Sequence, residues 1–148
     1  MHNTVFKKKY NSQKYCDVNL TQGEAEAQIT NAIVKFELEY MGRGPEESKT
    51  FIIEDTVFIR LRGVLTPAEK QLASSENPAT GRKLIKELRQ ELIEKARVLL
   101  EKIIFDILKI KVKSLHTDIS SITGERVILF TLEAIPKFKK SLASSTKK

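Results

Sequence analysis

The stretch His116-Thr117-Asp118-Ile119-Ser120 gathers the residue types from which a general base is built. Side chains alternate along a β-strand, so His116 and Asp118 fall on one face, with Ser114 and Ser120 flanking them. A carboxylate beside an imidazole orients the ring and raises its pKa, as proton transfer near neutrality requires. The same residues equally suit a polar strand face near a turn, hydrogen-bonded locally. Nothing nearby completes a catalytic set. His2 is the only other histidine, and the segment offers no recognisable nucleophile or second metal ligand. His116 and Asp118 therefore stand as candidate ligand-binding residues, with no catalytic residue, metal site or cofactor assigned.

A second candidate is Gly42-Arg43-Gly44-Pro45, where open backbone amides and the Arg43 guanidinium can cradle a small anion. Against this, the spacing puts the segment at a helix C-terminus, whose partial negative charge repels anions. A glycine cap followed by a loop explains it without a ligand. Arg60 and Arg62 share one face of a strand and are candidate contacts for an acidic partner. They serve equally well as a solvated sheet face or as charges guarding a sheet edge. Neither a phosphate-binding Gly-x-x-x-x-Gly-Lys loop nor a dinucleotide Gly-x-Gly-x-x-Gly turn occurs in the chain.

The elements that must position these residues are legible from capping and periodicity. Thr21 and Glu24 form a capping-box pattern ahead of Ile29, Ala32, Ile33, Phe36 and Tyr40, which share a helical face. Gly42 and Pro45 close that helix. Alternating apolar runs at residues 50–53 and 57–62, joined by Glu54-Asp55-Thr56, predict an antiparallel hairpin. Thr66-Pro67-Ala68-Glu69 opens a short second helix that ends near Ser74. A second hairpin follows at the far end, one strand running from Ile110 through Asp118 and its partner over residues 125–132, turned at Thr123-Gly124.

Between the hairpins lies the element that organises the chain, a helix predicted from about residue 81 to 108. Its apolar stripe reads Leu84, Leu88, Leu92, Leu99, Ile103 and Ile107, with Ile85, Ala96 and Leu100 beside it. The other face, including Lys83, Lys86, Glu87, Arg89, Gln90 and Glu94, should meet water. At 1.5 Å per residue this helix is ~42 Å long. A 100-residue domain is only ~26 Å across, so one end must overhang or pack on another subunit. The order α-β-β-α-α-β-β predicts an α+β fold of two layers. A four-stranded, mainly antiparallel sheet of two hairpins is covered on one face by helices.

The chain has 148 residues, 41% hydrophobic and 30% charged, as expected of one globular domain. No apolar run approaches the ~20 residues of a membrane span, and the N-terminus lacks the apolar core of a secretory signal. The lone cysteine, Cys16, excludes an internal disulfide. Cytosol is the expected compartment. The net charge of +7 is unevenly placed: residues 1–20 hold four Lys and one Asp, residues 134–148 five Lys and no acid, leaving −1 between them. Residues 1–20 and 134–148 read as flexible basic tails around one domain at 21–133. Such tails can bind nucleic acid or anionic lipid, although solvated ends are the commoner use.

Several motifs recur in an order that goes beyond these patterns: Asn31-Ala32-Ile33-Val34-Lys35, Tyr40-Met41-Gly42-Arg43-Gly44-Pro45, Gly63-Val64-Leu65-Thr66-Pro67-Ala68-Glu69, His116-Thr117-Asp118-Ile119-Ser120 and Thr123-Gly124-Glu125-Arg126-Val127. Over residues 21–133 the chain resembles the bacterial MpsC family. The resemblance implies a component of a sodium-translocating, membrane-potential-generating system, whose membrane partners are similar to cation-pump subunits and inorganic-carbon uptake proteins. It implies no catalytic residues. The expectation is a non-enzymatic cytoplasmic accessory protein, homo-oligomeric through the long helix, docking on membrane transport subunits at the inner face of the membrane. The alternative is a regulator that binds nucleic acid or a small anion through the basic tails or the Gly42–Pro45 loop.

Overall fold

The structure, a computed structural model, describes residues 13–141. Thr21 caps the first helix, α1 (Gln22–Met41), by accepting a hydrogen bond from the Glu24 backbone N–H at 3.1 Å. Gly42, at φ 82°, takes the left-handed conformation that ends it. The helix is amphipathic, and Ala25, Ile29, Ile33, Phe36 and Glu37 form its buried row. The first hairpin pairs β2 (Glu47–Ile53) with β3 (Thr56–Arg62). Glu54 supplies the left-handed residue of its turn, at φ 53°. The second hairpin pairs β4 (Val112–Ile119) with β5 (Arg126–Leu132).

The four strands form one antiparallel sheet in the order β2-β3-β5-β4, so β3 and β5, one from each hairpin, meet at its centre. Alternation sends Val57, Ile59 and Leu61 of β3, with Ile128, Phe130 and Leu132 of β5, to the inner face. There they pack with the buried rows of α1 and of α3 (Pro78–Leu108) in a single core. The fold is α+β, as the pattern of hairpins and helices predicts. The short helix α2 (Pro67–Ala73) opens with a complete capping box: Thr66 Oγ1 accepts from the Glu69 N–H, and Glu69 Oε1 accepts from the Thr66 N–H at 2.9 Å. It crosses α3 so closely that a Cβ at Gly81 would run into the Leu72 backbone carbonyl.

Two expectations are corrected. Segments 15–20 and 135–139, read as parts of flexible tails, lie in a parallel strand pair: β1 (Tyr15–Thr21) and β6 (Ile135–Lys139), which the Ile135 N–H joins to the Lys14 carbonyl at 2.8 Å. The element order is therefore β-α-β-β-α-α-β-β-β, with one strand added at each end of the expected series. Residues 1–12 and 142–148 lie outside the described residues. The second correction concerns α3. Its buried row is Gly81, Ile85, Arg89, Ile93, Ala96, Leu100, Ile104 and Leu108, one step around the helix from the expected stripe. Leu84, Leu88 and Leu99 are left about half exposed, at 48%, 54% and 50%.

Candidate functional site

Arg89 sits in the buried row of α3 where the sequence pattern put a solvent-facing charge. Only 3% of it is exposed. Two acceptors, and a second carboxylate near by, come to it from outside the helix. Glu69, in the first turn of α2, meets it as a two-pronged pair, Nε to Oε2 at 2.9 Å and Nη2 to Oε1 at 2.7 Å. The Val64 carbonyl, just before α2, accepts from Nη2 at 2.9 Å. Glu37 of α1 brings its Oε2 to 3.8 Å from Nη1, too far for a hydrogen bond. Neither Glu37 Oε2 nor Arg89 Nη1 has a hydrogen-bond partner.

The other oxygen of Glu37 is committed elsewhere. Oε1 accepts from Arg126 Nη1 at 2.8 Å. Arg126 is the first inward residue of β5, taking a place that an aliphatic side chain holds further along the strand, and is 1% exposed. Its Nε reaches Thr117 Oγ1 of β4 at 3.4 Å, and Thr117 donates to the Val127 carbonyl at 2.9 Å. Four charged groups from α1, α2, α3 and β5 are thus joined in the core, two of each sign. Burial on this scale is sustained only by pairing, because an isolated ion in the interior is strongly unfavourable.

The surroundings move Glu37, Glu69 and Arg126 from their ordinary values. Burial pushes Glu37 up, against the pull of Arg126 and Arg89. Burial also acts to raise Glu69, but the Arg89 fork and the Thr66 N–H outweigh it and hold this carboxyl below the usual range. Burial lowers Arg126 against the attraction of Glu37.

Beside this cluster, between α3 and the β4–β5 side of the sheet, opens a cavity of about 240 Å³. Lys86, Arg89, Gln90, Thr117, Asp118 and Arg126 supply its polar walls. Lys86 Nζ and Asp118 Oδ1 face each other at 3.6 Å, linking α3 to β4.

Of the residues singled out from the sequence, only Asp118 reaches this cavity. Its Oδ1 accepts from the Ile119 N–H at 2.8 Å and faces Lys86; no hydrogen bond or ion pair joins it to His116 among the described residues. His116 lies exposed on the outer sheet face, opposite Leu129. Arg43 donates from Nη2 to Glu46 Oε1 at 3.0 Å, beyond the end of α1. Arg60 Nε donates to Glu125 Oε2 at 2.9 Å, and Arg62 pairs with Glu47 at 3.3 Å and lies 3.6 Å from Glu125. Because β3 is a central strand, these two arginines guard no edge. Among the described residues, no group of three His, Cys, Asp or Glu is placed to hold a metal ion.

Comparison with known proteins agrees with the motif pattern. The family model described as "Na+-translocating membrane potential-generating system (MpsC)" matches residues 21–134. The chain is 43% identical over 112 residues to the uncharacterized protein YbcI of Bacillus subtilis (strain 168), covering 76% of this chain and 88% of that protein. No solved structure matches. The matched span takes in α1 to β5, and with them Glu37, Glu69, Arg89 and Arg126. The chain belongs to the MpsC family.

Proposed function

We propose that this protein is a non-enzymatic accessory component of a cation-translocating, membrane-potential-generating membrane system. It works at the inner face of the membrane and self-associates through α3. The family description supports the association with such a system. Among the described residues, no helix is long and apolar enough to cross a membrane, so on this reading the ion path belongs to partners.

The observation that carries the reading is the exposed flank of α3. Leu84, Leu88 and Leu99 are about half exposed, with the half-buried Leu92 and Ile103 alongside. Their spacing keeps them on one side of the helix, along ~29 Å at 1.5 Å per residue. An apolar row of this length on a surface, interrupted by Lys95 between Leu92 and Leu99, marks an interaction site. The flank adjoins the buried row directly, so a second copy laid along it would extend the existing core.

Affinity capture tests the reading. Tagged protein recovered from gently solubilised membranes of its native host should bring a cation-transport-type membrane subunit with it. Leu88→Lys with Leu99→Lys should lower that recovery while the protein stays folded. Undiminished recovery from the double variant would remove α3 from the account.

A further inference from the structure

We propose that the cavity between α3 and the β4–β5 side of the sheet binds a small, planar, singly charged anion of the carboxylate class. Arg89 and Arg126 are its recognition groups. The site goes beyond the docking role and does not rest on it.

Three features of the walls point to an anion. They carry three cations, Lys86, Arg89 and Arg126, against one carboxylate, Asp118. The acids that balance the two arginines, Glu37 and Glu69, are not part of the lining. Glu37 instead grips Arg126 from the protein side and stands 3.8 Å from Arg89, which holds the two guanidinium groups near each other. Second, Arg89 lines the cavity with its side chain 4% exposed, and its Nη1 has no hydrogen-bond acceptor, its nearest acid being Glu37 Oε2 at 3.8 Å, which is likewise unpartnered. A buried N–H without an acceptor is unfavourable, and such groups in native proteins are normally met by a ligand, water or ion. Third, Arg126 also has capacity to spare: its Nε reaches Thr117 only at 3.4 Å, and its Nη2 has no acceptor among the described residues.

Charge and shape narrow the class. Asp118 in the wall, with Glu37 and Glu69 behind it, disfavours a second negative charge on the ligand. A planar two-oxygen group matches the donor fork of a guanidinium. The volume of about 240 Å³ fits an anion of a few heavy atoms with water beside it, given the ~30 Å³ that a water occupies in the liquid. Gln90 and Thr117 add neutral polar atoms, and Ile93 and Ile119 line the rest. Lys86, half exposed and facing Asp118 across 3.6 Å, can turn from that carboxylate toward an incoming anion.

Titration of the full-length protein with sodium acetate, followed by nitrogen-15 NMR of arginine side chains, tests the site; sodium chloride at equal ionic strength is the control, and sulfate and phosphate are further arms. The expected result is a saturable shift of the Arg89 and Arg126 Nε–H signals with acetate alone. Lys86→Ala, at an exposed position, should weaken that binding several-fold without altering the rest of the spectrum. Gln90→Trp, which fills the mouth, should abolish it. Shifts no larger than those of chloride, or unchanged acetate binding in both variants, would overturn the proposal. Saturation by sulfate or phosphate in place of acetate would overturn the assigned class.

Discussion

Arg126 of β5 and Glu37 of α1, 89 positions apart in sequence, are joined by a 2.8 Å hydrogen bond at which neither side chain is more than 2% exposed. The pair fastens the first long helix to the start of a central strand, and Arg89 and Glu69 extend it to α3 and α2. Removing one member should cost far more than removing both. Arg126→Met leaves Glu37 buried with only Arg89 at 3.8 Å, and is expected to cost ~3–5 kcal/mol. Arg126→Met with Glu37→Met should recover most of that loss. Urea unfolding of the single and double variants measures the difference. Equal destabilisation by both would show that the pair is not a coupled unit.

The two buried carboxylates give opposite pH signatures. Glu37 is raised by burial, so the folded chain keeps its proton where the unfolded chain has lost it. Its contribution is fully present below the ordinary glutamate value of ~4.3 and is lost as pH rises through the folded value. Glu69 is held low, chiefly by Arg89 and Thr66 acting against burial. Its contribution is present above the ordinary value and is lost as pH falls through the folded one. Glu37→Gln removes only the first effect. Its stability relative to the natural chain should therefore improve as pH rises from about 4 toward 7. Urea melts across that range measure this, and a difference independent of pH would contradict it.

Gly81 tests how closely α2 and α3 meet. Alanine in a helix interior gains up to ~1 kcal/mol over glycine. Here its Cβ would meet the Leu72 carbonyl, and overpacking of this kind costs ~1–3 kcal/mol. The clash involves backbone, which cannot swing aside, so Gly81→Ala should be destabilising on balance. Thermal melts decide the sign. A stabilised variant would mean that α2 is not held in this position, and Glu69 would then be free of Arg89.

The exposed flank of α3 predicts self-association. Sedimentation should give twice the chain mass for the natural protein and the single mass for Leu88→Lys with Leu99→Lys, at unchanged helix content. A monomer in both cases would leave the flank without a second copy.

Much of this architecture was readable from local signals. Thr21, Gly42 and the Thr66–Glu69 box fixed helix ends because capping involves neighbours only. Both hairpins followed from alternation. β1 and β6 are hard to read from local signals, because a parallel pair between distant segments leaves no turn signature, and Pro136 and the lysines resemble a tail. The alternation of Cys16, Val18 and Leu20 was the available clue. Charge alone predicts exposure for Arg89, although Ile85, Arg89 and Ile93 follow each other at four-residue steps on one face. Arg126 shares parity with Ile128, Phe130 and Leu132, so its inward direction was legible. Its partner was not, since nothing local links Glu37 to β5. Strand alternation joins Asp118 to His116 on one face, whereas the tertiary fold sets it against Lys86.

The most direct test of the accessory role is affinity capture with the chain trimmed to residues 13–141, which keeps β1 and β6 and removes five of the nine lysines of the two basic segments. Capture from gently solubilised membranes of the native host should be run at low and high salt. The account predicts that a cation-transport-type membrane subunit is recovered with the trimmed chain at both, because apolar contacts resist screening. Nucleic acid recovered with the full chain, released by salt and absent from the trimmed chain, would contradict it, since phosphate contacts through the tails weaken steeply with salt.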